Sequence, residues 1–188
     1  METRLQVVVS LTTSLLVVSC GAGRPGFPAA VASPESRVSV GATAPAIDLA
    51  AETTRLRANV NTLRQSHGVS DLTFPVSLQQ VALARALEIA SLDSLEHERP
   101  GEATAAVVPM LEADGYSGRI AELAILVRDP GDRLSATVLR AWFEDAAHRA
   151  DLLDPGYQAA GIGIAETAGG WVAVQVMVEF VPSGEAQP

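Results

Sequence analysis

The pattern that most constrains this chain is a change of period near its C-terminus. Val172, Val174, Val176, Val178 and Phe180 alternate with Trp171, Ala173, Gln175, Met177 and Glu179. A two-residue period is that of a β-strand with one face fully buried. Ala159 to Glu166 reads as a preceding strand, and Ala168-Gly169-Gly170 between the two supplies the turn of an antiparallel hairpin. Gly161-Ile162-Gly163 lies in the first strand. It lacks the strand-turn-helix setting of a dinucleotide fingerprint and marks a place where neighbouring backbone comes close.

Upstream, the apolar residues recur at helical spacing. Leu56, Val60 and Leu63 predict a helix from about Leu49, stopped at His67-Gly68, which assigns His67 to capping or surface. Leu78, Val81, Ala82, Ala86, Leu87 and Ile89 make the apolar face of a second helix reaching about Leu95, and Pro100 closes that segment. A third helix is expected from about Ala103 to Ala113. An irregular stretch then runs through Tyr116 to the turn Asp129-Pro130-Gly131, and Leu134, Val138 and Trp142 mark a fourth helix ending close to His148. Helices gathered around a small antiparallel sheet make an α+β domain over residues 49–182, followed by a short polar tail at 183–188. With 48% hydrophobic residues among 188, the chain can bury a sizeable core.

The N-terminal region is different. Residues 5–19 are apolar but too short to span a bilayer comfortably, so 1–19 reads as a signal peptide. Val17-Val18-Ser19-Cys20 follows at once and resembles the lipobox of bacterial lipoproteins, which implies acylation of Cys20. Cys20 is the only cysteine, so no intramolecular disulfide forms, and lipidation would account for the lone thiol of an exported chain. Residues 20–48, rich in Gly, Pro, Ala and Ser, read as a flexible linker holding the domain off the membrane. The formal charge of −9 and the lack of any Arg/Lys cluster argue against nucleic acid as a partner and leave the lipid as the route to the membrane.

Three short pieces carry the polar chemistry: Glu96-His97-Glu98, Ala121-Glu122-Leu123, and the run from Trp142 to Arg149. In the last, three- and four-residue spacings let both Glu144 and Asp145 approach His148. In order and spacing, with Gly161-Ile162-Gly163 and the terminal strand after them, these pieces resemble the bacterial branch of the CAP superfamily, the group of cysteine-rich secretory proteins, antigen 5 and pathogenesis-related 1, over roughly residues 55–181. The resemblance implies a three-layer α/β/α sandwich in which His97, Glu122, Asp145 and His148 share one open cleft. Its register favours Asp145 over Glu144, although bacterial members often carry serine there. Glu122 matches the glutamate of the family's G-E-N motif within an A-E-L triplet, Arg149 the arginine that usually follows the second histidine, and Trp142 belongs to the core.

Two imidazoles with one or two carboxylates can bind a divalent metal, and nitrogen ligands favour zinc, so His97 and His148 are the expected ligands. H-E-x-x-H is absent, and neither His97 nor His148 has a serine or cysteine placed beside it as an evident nucleophile. The expectation is a lipid-anchored, extracytoplasmic protein, not an enzyme, binding a metal or small ligand in a His/acid cleft at the cell envelope. The alternatives are a metal-assisted hydrolase with Glu122 or Asp145 as general base, and an interaction module whose four cleft residues are purely structural.

Overall fold

The structure is a computed structural model that describes residues 46–180, apart from 93, 100–104 and 132. The expected signal peptide, Cys20, most of the linker and the tail at 183–188 lie outside the described residues. In chain order the elements are α1 Leu49–Ser66, α2 Val76–Leu92, α3 Val107–Ala113, β1 Ser117–Val127, α4 Leu134–Glu144, α5 Ala146–Leu152, β2 Ala159–Thr167 and β3 Gly170–Phe180. None of the described helices is long and apolar enough to cross a membrane.

Asp48 caps α1 by accepting the Ala51 N–H at 3.0 Å, and Gly68, at φ 71°, takes the left-handed geometry that ends it. Leu56 and Val60 are buried as expected. The next buried position on that row is Arg64, with Leu63 only partly covered, because the row advances by four. On α2, Leu78, Val81, Ala82, Ala86 and Ile89 are buried, whereas Leu87 is 56% exposed. About 100° per residue carries Leu87 to the side opposite Leu78. The helix stops at Leu92, short of the expected Leu95, and α3 is described from Val107.

Two expectations are corrected. The stretch after Tyr116 is not irregular: it is β1, an eleven-residue strand. Ile120, Ala121, Glu122 and Leu123 are buried in succession, so the strand shows no alternation for a period search to find. The expected fourth helix is two helices. Asp145, at φ −75° and ψ 129°, is extended; it ends α4 and begins α5.

The sheet has the order β1-β3-β2, antiparallel throughout, so the hairpin closes as expected but β3 becomes the central strand. Residues 172–178 are all buried. The alternation in the sequence therefore separates two covered faces, not an inside from an outside. Val172, Val174, Val176 and Val178 meet Leu78, Ala82 and Ile89 of α2 and Leu111 of α3. Ala173, Gln175 and Met177 point the other way, with Leu123 of β1 and Ile162 of β2, to the side where α1 packs on β2 and α4 on β1. This is a helix–sheet–helix sandwich. Gly161 and Gly163 explain how tightly α2 sits: a Cβ on either would stand 1.8 Å from the Leu78 carbonyl oxygen or 2.4 Å from that of Ala82.

Candidate functional site

The register of β1 puts Glu122 opposite Val176, and hence on the α2 side of the sheet. There its Oε1 stands 3.2 Å from Nδ1 of His97, which comes from the segment following α2. That segment is held by its backbone: the Ala106 N–H donates to the His97 carbonyl at 2.7 Å, and Glu98 pairs with Ala105 in a short antiparallel bridge. Both side chains are buried, and the same Oε1 accepts from Nε of Arg85 at 3.2 Å. Glu122 Oε2 is buried with no hydrogen-bond partner among the described residues.

Arg85 was not anticipated from the pattern. It donates to Glu88 Oε2 at 3.2 Å and to the carbonyls of Glu96 and His97, the latter at 3.1 Å. Glu88 also pairs with Arg99, and hydrogen bonding from Arg99, with Arg85 adding to it, holds its carboxyl below the usual range despite partial burial. A signal for Arg85 was available: Leu78, Ala82, Arg85 and Ile89 follow the i, i+4, i+7, i+11 row of a buried stripe, and a cation on that row requires buried acceptors.

Asp145 is the N-cap of α5. Its Oδ1 accepts the N–H groups of Ala147 at 3.0 Å and His148 at 2.9 Å, and stands 3.5 Å from the His148 Nδ1. Serine and aspartate both cap well, so either residue at this position would do the same local job. Arg149 fastens α5 to the end of α4 by donating to the Phe143 carbonyl at 3.1 Å. Burial pushes the His148 pKa below the ordinary imidazole value; Asp145 pulls it up and His97 pushes it down again, leaving it lowered. His148 is therefore neutral at pH 7, and its response to His97 links the two His/acid pairs electrostatically. Glu144 is exposed at the end of α4, Trp142 is core, and His67 caps α1 with its ring 5.6 Å from Phe143.

Beside the paired residues is a pocket of about 240 Å³ lined by Arg85, Leu92, Ser94, Glu96, Glu98 and Arg99. The expected zinc ion fits this donor set poorly. Protein zinc sites use three or four ligands, and among the described residues no three His, Cys, Asp or Glu side chains stand where they could share a metal. The Glu122 oxygen that faces His97 is already engaged by a guanidinium, and Asp145 is spent on capping.

The model of the cysteine-rich secretory protein family, CAP, matches residues 57–178. No curated protein matches the chain significantly. Three similar solved structures are bacterial. An outer surface protein from Borrelia burgdorferi aligns at TM-score 0.62 and 16% identity over 72% of this chain and 97% of its own. An extracellular protein containing an SCP domain from Bacillus anthracis aligns at 0.57 and 16%, over 70% of this chain and 41% of its own. A cysteine-rich secretory protein from Staphylococcus aureus aligns at 0.55 and 18%, over 72% and 40%. The chain spans about two fifths of the length of the latter two. At these identities the likeness is one of fold, and the α+β sandwich is what the four chains share.

Proposed function

Since the chain belongs to the cysteine-rich secretory protein (CAP) family, we propose that it is an extracytoplasmic binding module whose cleft takes a small polar ligand at the cell envelope. The observation that supports this reading is the buried polar cluster of Arg85 from α2, His97 after it and Glu122 from β1, with Arg85 also lining a small pocket and with His148, behind its Asp145 cap, close enough for the charge of His97 to act on it. Convergent polar groups at a pocket are the usual mark of a ligand site. The similar folds named as outer-surface, extracellular and secretory proteins support the location, and acylation at Cys20 would supply the anchor.

Binding has more support than hydrolysis. A general base must reach the proton it removes. Glu122 Oε1 already faces Arg85 and His97, its Oε2 is sealed from solvent, and the Asp145 oxygen is committed to two backbone N–H groups. The test is to titrate N-acetylglucosamine and alanyl-alanine, two simple envelope-like probes, into the isotope-labelled full chain. One of them should move the ring signals of both His97 and His148. Ring signals that ignore both probes would count against a ligand cleft.

A further inference from the structure

A charge on the buried row of α2 must be balanced where it lies. Arg85 is 1% exposed, and the groups that balance it come from three places: Glu122 on β1, Glu88 one turn along α2, and the carbonyls of Glu96 and His97 in the following segment. One guanidinium thus holds the backbone of the first cleft histidine and the carboxylate that faces its ring. The planar fork suits this, since its donors reach several acceptors at fixed angles.

We propose that Arg85 is the resident cation of the cleft and the positioning residue for His97 and Glu122, so that the His/acid cluster is assembled without a divalent metal. A metal ion entering at Glu122 would meet a fixed positive charge already on the same carboxylate oxygen, and like charges in a poorly solvated site repel strongly. The positive charge that a metal would bring to this carboxylate is already present in the chain. This inference rests on the reading of the cleft as a ligand site, and deepens it by stating what the ligand does without.

The test follows the His97 and His148 ring signals of the full chain as wild type, Arg85→Lys and Arg85→Gln, during zinc titration. Wild type should leave both rings unmoved at one equivalent of zinc. Arg85→Lys keeps the charge and loses the fork: zinc should still be ignored, while the His97 signals move from their wild-type positions. Arg85→Gln frees Glu122, and zinc affinity should rise by about tenfold or more. Uptake of one zinc by wild type with both rings shifted would overturn the proposal, whether or not Arg85→Gln folds. Wild-type His97 signals in Arg85→Lys would overturn the positioning role. Repeating the N-acetylglucosamine and alanyl-alanine titrations after chelation separates this inference from the reading beneath it. A probe response that survives chelation supports both; one lost on chelation and restored by zinc keeps the ligand cleft and removes the metal-free assembly; and with no response in either condition the ligand reading fails while the zinc titration still decides the role of Arg85.

Discussion

Arg64 and Arg85 occupy the same kind of place and do different things there. Each follows an apolar row on its helix, and each is shut off from solvent, at 0% and 1% exposure. Arg64 donates to carbonyls: Ser70 at 2.8 Å, Leu152 at 2.7 Å, Asp154 at 3.1 Å and Tyr157 at 3.3 Å. These belong to the chain just after α1 and to the end of α5 and the loop before β2, so Arg64 staples distant backbone together. Burial lowers its pKa, opposed by the more distant charges of Asp154 and Asp71. Arg85 has carboxylates among its acceptors, and one of them faces a cleft histidine. A buried cation answered by backbone dipoles serves the architecture; one answered by a buried carboxylate that faces a histidine suits the proposed site.

The most severe way to break this comparison is Arg64→Met, which leaves four carbonyls without that donor. At roughly 1–3 kcal/mol for each group left unsatisfied, the loss should reach about 4 kcal/mol or more, enough to unfold much of a marginally stable domain. Urea denaturation followed by the fluorescence of buried Trp142 measures it, and a loss below about 1 kcal/mol would deny that Arg64 is a staple.

Arg85→Met should cost about 3 kcal/mol, chiefly because the Glu122 carboxylate is left uncompensated. Adding Glu122→Gln should restore about half of that, a coupling not expected at Arg64, whose hydrogen-bond acceptors among the described residues are carbonyls. Additive losses in the same denaturation series would put Arg85 in the class of Arg64.

Acid should act on the cleft side. Because the folded His148 pKa lies below the unfolded value of about 6.5, the unfolded chain takes the proton first as pH falls. The contribution of neutral His148 is therefore fully present above about pH 6.5 and is lost on acidification toward its folded pKa, by at most about 1.4 kcal/mol per pH unit. His148→Gln should flatten that part of the stability profile between about pH 7.5 and 5. An unchanged profile would remove His148 from the buried cluster.

The smallest effect is expected at the cap. Asp145→Ala should cost about 1 kcal/mol and displace the His148 ring signals, whereas Asp145→Ser should retain most of both. Equal losses in the two variants would mean that the Asp145 charge matters more than its capping oxygen.

Some of this was open to inspection in the residues. The two-residue period from Trp171 to Phe180, the glycines at 68 and 169–170, and the four-residue row of Leu56 and Val60 express local stereochemistry, which each segment carries with it wherever it goes. They determined the helices, the hairpin and the strand with two crowded glycines, and the motif order pointed to the family. Strand β1 was hidden because burial on both faces erases alternation, and the break at Asp145 because a cap is an extended residue inside a helical period.

Both arginines stood in plain view on apolar rows, but a sequence shows that a buried cation needs acceptors without showing which. The partners of Arg64 lie up to 93 residues away, and Glu122 lies 37 residues beyond Arg85. The sequence by itself determined the periods, and so most of the helices and the β2–β3 hairpin, while the layering was implied by the family resemblance. Only the tertiary structure decided that one arginine meets carbonyl dipoles and the other a carboxylate beside a histidine, because that choice depends on which distant segments pack together, and local periodicity does not encode it.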